Sequence, residues 1–322
     1  MRIGVDTSGK FETFPAFHAT VVAAAAAPEH AMAEIEAWTD DALVRWDLAD
    51  DLGELHAKEL RAEHRLEVCQ MLADRGDVRL AAIVTDSGLL GSPEAVQLHR
   101  RRQRCRAGKT SARSEEGGRR RQALLQLLDS RSLRDHEYLL AACLPLVLAQ
   151  IAQRLFGFFA GDEWETEMST MVVRVDQETA PTMRYSDSAL LPTFGGDDRF
   201  AFRFPESWRE PVHPLLARVR HPDGDGVRPQ MLFDDIRWVS SHDDISVQLA
   251  DVAAWILARR ISRPTEEITS DAYELIAPLM AGEGGRTFEL FSIPPVRPDQ
   301  AAMYSHLQSF EEPQWWLKPA DS

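Results

Sequence analysis

The sequence predicts an α/β domain, and three observations carry that reading. Short apolar runs of strand length recur along the chain, several of them ending at an aspartate. Between them, apolar residues repeat at helical spacing. The composition, 44% hydrophobic and 27% charged over 322 residues, is that of a globular chain able to bury a sizeable core. It excludes a disordered, collagen-like or disulfide-scaffold protein.

The elements follow in order. Residues 1–6 form a short apolar run ending in Asp6, and the turn-like Thr7-Ser8-Gly9-Lys10 follows. Residues 14–25 read as a second strand pairing with the first in a hairpin. From Glu29 to Trp46 the residues Met32, Ile35, Trp38, Leu43 and Trp46 keep helical spacing. Residues 48–53 are an acidic loop, and a second helix is expected over 55–74. Residues 78–85 (VRLAAIVT) make a buried strand ending at Asp86. A long helix is expected over 122–160, and residues 166–175 (TEMSTMVVRV) make a strand ending at Asp176. A short helix over 212–219, a strand over 231–239 and an amphipathic helix over 245–261 come next. The tail from Ser262 holds one more helix and a proline-rich end with Trp315 and Trp316.

The formal net charge is −15, which argues against binding nucleic acid through the whole surface. Residues 99–121 break this trend. Ten basic side chains (Arg100, Arg101, Arg102, Arg104, Arg106, Lys109, Arg113, Arg119, Arg120 and Arg121) stand there against Glu115 and Glu116, a local charge of +8. With its serines and glycines the stretch reads as a basic helical insertion over 92–121, partly mobile. Cys69, Cys105 and Cys143 are odd in number and widely spaced, which fits a reducing compartment and no zinc site. The stretch 138–161 is apolar, but Pro145, Gln150, Gln153 and Arg154 interrupt it, so a buried helix is expected and no membrane span. The N-terminus lacks the apolar core of a signal peptide. The expected location is the cytoplasm.

Residues 4–10 (GVDTSGK) fit the spacing of a phosphate-binding loop up to its lysine. The next residue is Phe11, where a magnesium-binding hydroxyl is required, and Asp6 would repel a phosphate, so that reading fails. A phosphotransfer aspartate at Asp6 lacks a second acid two residues on, where Ser8 stands.

Four acids are placed more suggestively. Asp6 and Asp176 end strands, Glu54 stands where an acidic loop enters a helix, and Asp251 sits among apolar residues of the last amphipathic helix. Strand-end carboxylates converge at one edge of a sheet, and helices packed on it add others. Like charges brought together are costly unless cations neutralise them, so a cluster would take a divalent metal. Each acid also has a plainer reading. Asp6 and Asp176 suit turns, and Glu54 suits the first turn of a helix. Asp251 has little solvated surface left to it and needs a partner.

Four short motifs in order carry a resemblance. Asp6-Thr7-Ser8-Gly9, Glu54-Leu55-His56-Ala57-Lys58, Val172-Val173-Arg174-Val175-Asp176 and Gln248-Leu249-Ala250-Asp251 resemble motifs of the domain of unknown function 3800 family. The resemblance implies an RNase H-like fold, a mixed sheet flanked by helices, with acids binding Mg²⁺ or Mn²⁺. Asp6 would bridge the metals, with Glu54, Asp176 and Asp251 completing the shell. His56 or Lys58 would orient substrate or assist proton transfer. Thr7 departs from the family's usual glutamate, and Asp86 competes with Asp176 as third ligand.

The resulting expectation is an RNase H-like domain over 1–261 and a C-terminal extension over 262–322. Its function would be that of a divalent-metal-dependent nuclease acting on DNA or RNA, with the basic insertion holding the phosphate backbone. The alternative is a non-catalytic RNase H-like module that binds nucleic acid or a protein. An actin-like sugar kinase would need further glycine-rich loops, and residues 282–285 (GEGG) are the one candidate.

Overall fold

The computed structural model describes residues 1–9, 11, 19–49, 53–109, 115–131, 133–159, 165–177, 202–203, 226–227, 233, 235–263, 265–281, 287–291 and 293. Strand β1 (Arg2–Ser8) and strand β2 (Thr20–Ala27) pair antiparallel as the hairpin requires, in a register from Arg2↔Ala27 to Ser8↔Val21. β1 is longer than the apolar run suggests, because β2 holds it through Ser8. β3 (Arg79–Thr85) pairs antiparallel with β2. On the other side of β1, β4 (Val172–Asp176) and then β7 (Asp235–Val239) add in parallel. Two-residue β5 (Phe202–Arg203) and β6 (Gly226–Val227) pair apart from this sheet. β8 (Glu289–Leu290) closes the far edge, giving the order β7-β4-β1-β2-β3-β8. The protein is thus α/β, a mixed six-stranded sheet flanked by helices.

Helices α1 (Glu29–Arg45), α2 (Ala62–Asp74), α8 (Ile245–Ser262) and α9 (Glu267–Met280) cover one face. Their apolar residues meet Val21, Ala23, Ala25, Leu80, Ala82 and Val84. The other face carries α6 (Asp135–Phe158), with α4 (Pro93–Lys109) and α5 (Glu115–Asp129) packed beside it. Here Ile3, Val5, Val22, Ala24, Ile83, Val173 and Val175 face the helix. The period-2 alternation of the strands sorts these residues between two cores. β2 is buried on both sides, and its alanines let helices approach both faces closely. Short helices α3 (Ser87–Leu90) and α7 (Glu165–Met168) join layers.

Three expectations change. The helix expected over 55–74 begins only at Ala62. The helix expected over 122–160 is two helices, because Arg100 reaches from α4 to the carbonyls of Leu128, Ser130 and Leu133 at the break. There Glu137 accepts the Arg134 N–H at 2.9 Å and starts α6. The strand expected over 166–175 starts at Val172, its first residues being the turn of α7. The basic stretch is helical as expected, a hairpin of α4 and α5, with residues 110–114 outside the described residues. The expected helix over 212–219, Trp315, Trp316 and residues 282–285 also lie outside them. After residue 261, α9 packs in the same core as α2, and β8 pairs with β3.

α6 is long and apolar enough to cross a membrane, yet 78% of its most apolar stretch is buried inside the protein. Its Arg154 is held by the Met280 carbonyl at 2.7 Å and by Gln150, and burial lowers its guanidinium to about 10.

Between α8 and α9, Arg259 donates to both oxygens of Glu266 at 2.6 and 2.7 Å, and Thr269 donates at 2.7 Å. The Arg259 hydrogen bonds hold the Glu266 carboxyl at about 2. A depressed carboxyl stabilises the fold above its unfolded value, and that stability goes as pH falls toward 2. Glu266→Gln is therefore expected to lower Tm at pH 7 by an amount that shrinks to nothing near pH 2, as thermal melts across pH will show.

Candidate functional site

The site begins with the parallel pairing of β1 and β4. Their register ends at Val5↔Val175, and the next residue of each strand is an acid, Asp6 and Asp176. Neighbouring strands lie about 4.8 Å apart, so the two aspartates stand side by side where the strands part. Asp6 is not the last residue of β1, which runs on to Ser8 against β2; it is the first residue past the β4 pairing. Alternation puts Asp6 with Gly4, and Asp176 with Arg174, on the face that α8 covers. Both acids are buried.

Gly4 explains how α8 comes so close. A Cβ at this position would stand 2.0 Å from the carbonyl carbon and oxygen of Ser246, so only hydrogen fits beneath the first turn of the helix. That turn is capped by Asp244, whose carboxylate accepts the Ser246 N–H at 2.9 Å. α8 then carries Gln248 and Asp251, three residues apart and on one face.

Glu54 and His56 stand at the start of the segment that the sequence reads as helix, and the structure shows a non-helical strap there, with a turn after His56. Gly53, with φ +63, turns the chain out of the acidic loop. The strap is then tied along α8 by side chains. Gln248 Oε1 accepts the Leu55 N–H at 3.0 Å and Asp251 Oδ2 accepts the Ala57 N–H at 2.9 Å. Leu55 and Ala57 turn inward and are buried; Glu54 and His56 alternate with them and are half-buried. Arg65 completes the strap by donating to the Ala57 carbonyl at 2.9 Å and to that of Leu60. Glu54 is therefore not a helix-entry acid; the bonds that α8 offers its backbone outcompete helix formation.

Burial pushes the Asp251 carboxyl above the ordinary carboxylate value. The Asp176 and Glu54 charges push it the same way, while the Ala57 N–H and the His56 ring oppose them. Asp176, Glu54 and His56 are thus all within electrostatic reach of Asp251. Thr7 donates its N–H to Asp6 at 2.6 Å, and the Ser241 hydroxyl donates to Glu54 Oε2 at 3.1 Å. His56 Nδ1 is buried and has no hydrogen-bond partner among the described residues.

Lys58 stands apart. It is exposed in the turn after His56 and makes no hydrogen bond or ion pair among the described residues. Asp86 is placed elsewhere too. Asp6 is level with Ala23 on β2 and Ala82 on β3, so Asp86 lies two strands across and four residues further on, about 16 Å from Asp6. Its Oδ1 accepts the Leu89 N–H at 2.8 Å and starts α3. Of the two competitors, Asp176 is the one beside Asp6. Ser241 and the amide of Gln248 are neighbours of the acids that the motifs did not assign; a polar residue at i and an acid at i+3 on an apolar helix was the available signal.

Among the described residues, no three His, Cys, Asp or Glu side chains are close enough to hold one metal ion as they stand. The donor chemistry does fit a hard cation, since Mg²⁺ and Mn²⁺ take carboxylate oxygens. Burial is the main cause of the raised Asp251 carboxyl, and Asp176 and Glu54 add to it in the direction that a nearby cation would oppose. Coordination would require Asp6 and Asp176 to turn toward Glu54 and Asp251, whose carboxylates the Ser241 hydroxyl and the Ala57 N–H hold.

The basic hairpin is less close to the acids than the charge pattern suggests. Val96 of α4 and Leu128 of α5 pack in the α6 core, on the opposite face of the sheet from Asp6, Asp176 and Asp251. The two regions share the sheet edge at which β1, β3 and β4 end. Two of the cations are committed to the hairpin itself: Arg100 to three carbonyls, and Arg104 to Asp129. Arg101, Arg102 and Lys109 are exposed. No family model, curated protein or solved structure matches the chain.

Proposed function

We propose that the protein is a divalent-metal-dependent nuclease of RNase H-like type, with Asp6, Glu54, Asp176 and Asp251 as its metal-binding acids. The observation that carries this reading is the convergence on Asp251. Acids from a strand end and a strap, Asp176 and Glu54, far apart in sequence, bear on one half-buried carboxyl of a helix. A salt bridge would be the ordinary way to hold such a charge. Here the neighbours that act on it include two more acids.

In this reading Mg²⁺ or Mn²⁺ would supply a water activated for attack on a phosphodiester and stabilise the leaving oxygen. The chain's own residues hold and shape the place. Asp6 and Asp176 offer adjacent oxygens from rigid strands. Asp251 keeps one oxygen on the Ala57 N–H, which fixes its rotamer and leaves Oδ1 for the site. His56, within electrostatic reach of Asp251 and with Nδ1 unbonded among the described residues, would orient substrate or move a proton. Lys58 is left to meet phosphate at the rim. The exposed Arg101 and Arg102 would grip the same strand where it passes around the sheet edge.

A specific bond favours the second reading, a non-catalytic module that binds nucleic acid or a protein. Asp251 has a structural task, holding the strap, that needs no metal. The test is cleavage of labelled single- and double-stranded DNA and RNA by the full chain with Mg²⁺ or Mn²⁺, beside Asp6→Asn and Asp251→Asn. A nuclease cuts at least one substrate and loses that activity in both variants. A binding module cuts none and binds equally well in all three.

The hairpin adds a further expected result. Binding of duplex DNA should weaken with salt, and Arg101→Gln with Arg102→Gln should lower the slope of log K against log salt by about 0.9 for each phosphate no longer neutralised. Replacing Arg100 should instead loosen the hairpin, because its guanidinium is committed to the carbonyls between α5 and α6. Circular dichroism melts beside the binding curves separate the two effects.

A further inference from the structure

We propose that Gln248 and Ser241 are positioning residues that set where Glu54 stands relative to Asp251; the inference rests on the carboxylate-site reading above. The geometry is a closed polar circuit around one acid. The residue after Glu54 donates its N–H to Gln248 Oε1 at 3.0 Å. The other end of the same amide, Gln248 Nε2, donates to the Ser241 carbonyl at 3.0 Å. The Ser241 hydroxyl donates to Glu54 Oε2 at 3.1 Å. Glu54 is thereby fixed twice, through the main chain beside it by Gln248 and through its carboxylate by Ser241, to whose carbonyl Gln248 is bonded.

Gln248 is 6% exposed. Burying its amide is favourable only while both oxygen and nitrogen are bonded, so it locks the strap and the 3-10 turn Ser241–Asp243 in a single arrangement. Gln248 also stands one turn before Asp251, on the same face of α8. The helix that carries one acid therefore places the other. A merely structural tie would join the strap to α8 and stop there. The hydroxyl of Ser241 goes further, because it touches the carboxylate and has no part in holding the strap.

That difference makes the test. Ser241→Ala removes the hydroxyl and leaves its carbonyl, Gln248 and the strap bonds in place. Mn²⁺ affinity, read by calorimetry on the full chain, is expected to fall about tenfold or more while Tm stays put, the range seen when residues behind metal ligands are removed. Ser241→Thr keeps the hydroxyl and is expected to restore the affinity. Gln248→Met, which removes the Leu55 bond and unties the Ser241 carbonyl from the helix, should also weaken Mn²⁺ and lower Tm as well; should it fail to fold, the serine pair decides alone. If Ser241→Ala and Ser241→Thr bind Mn²⁺ as tightly as wild type, while Asp251→Asn does not bind, the positioning role is overturned and the acid site stands. If the wild-type chain does not bind Mn²⁺ at millimolar concentration, the acid-site reading fails and this inference fails with it.

Discussion

Gly4→Ala is expected to be strongly destabilising. The new Cβ would meet main-chain atoms of Ser246 and Val247 at 2.0 to 2.4 Å, well inside any approach that real side chains make. A flexible neighbour would swing aside, but here the neighbour is the first turn of α8, capped by Asp244 and packed along β1 and β2. Either β1 bends or the helix lifts. Overpacked cores cost about 1–3 kcal/mol and sometimes more, and a clash with backbone belongs at the top of that range. With a total stability of about 5–15 kcal/mol, a loss of about 3 kcal/mol lowers Tm by about 4–5 °C in a chain of this length. The lifted helix also carries Gln248 and Asp251 away from the strap, so metal affinity and any cleavage should fall with it. Gly76→Ala is the control: a Cβ there meets nothing within 4 Å, and Tm is expected to stay unchanged. Thermal melts of the two variants settle the comparison.

The second large effect runs in two directions at once. Asp251→Asn should abolish cleavage, by at least about 100-fold, since even residues that only support metal ligands cost 10- to 100-fold. The same variant should melt at a higher temperature than wild type in metal-free buffer at pH 7. The reason is the sign of the shift. Burial raises the Asp251 carboxyl in the folded protein, so the fold is most stable with Asp251 protonated. That stability is lost as pH rises through the raised value. Asparagine keeps an oxygen for the Ala57 N–H and carries no charge against Asp176 and Glu54. The gain in Tm should therefore vanish below the ordinary carboxylate range, where wild-type Asp251 is protonated in both states. Loss of activity with a gain in stability marks a residue kept for function; a loss of both would mark a structural acid.

How much of this was legible in the sequence depended on how local the causes were. β1, β3, α1 and α8 follow from apolar periodicity, because each buries a continuous face. The position of Asp6 and Asp176 on neighbouring strands follows from the same patterns once β4 joins β1 in parallel. The strap over residues 53–61 was not legible, because the groups that hold it, Gln248 and Asp251, lie almost 200 residues away and replace the bonds a helix would have made. The break between α5 and α6 is likewise made by Arg100 from another helix. β8 is two residues long and exists only by pairing with β3, so no periodicity announces it. The placement of the basic hairpin behind the sheet is a matter of tertiary packing, and local charge says nothing about it.

Everything proposed for the acids depends on Asp6 and Asp251 serving one cation site. A Mn²⁺ titration by calorimetry on the wild-type chain, Asp6→Asn and Asp251→Asn reads that directly. Binding by the wild type and none by either variant, with both variants folded, is the expected result. Wild-type binding that survives both substitutions would refute the shared site, because the ion would then sit elsewhere in the molecule.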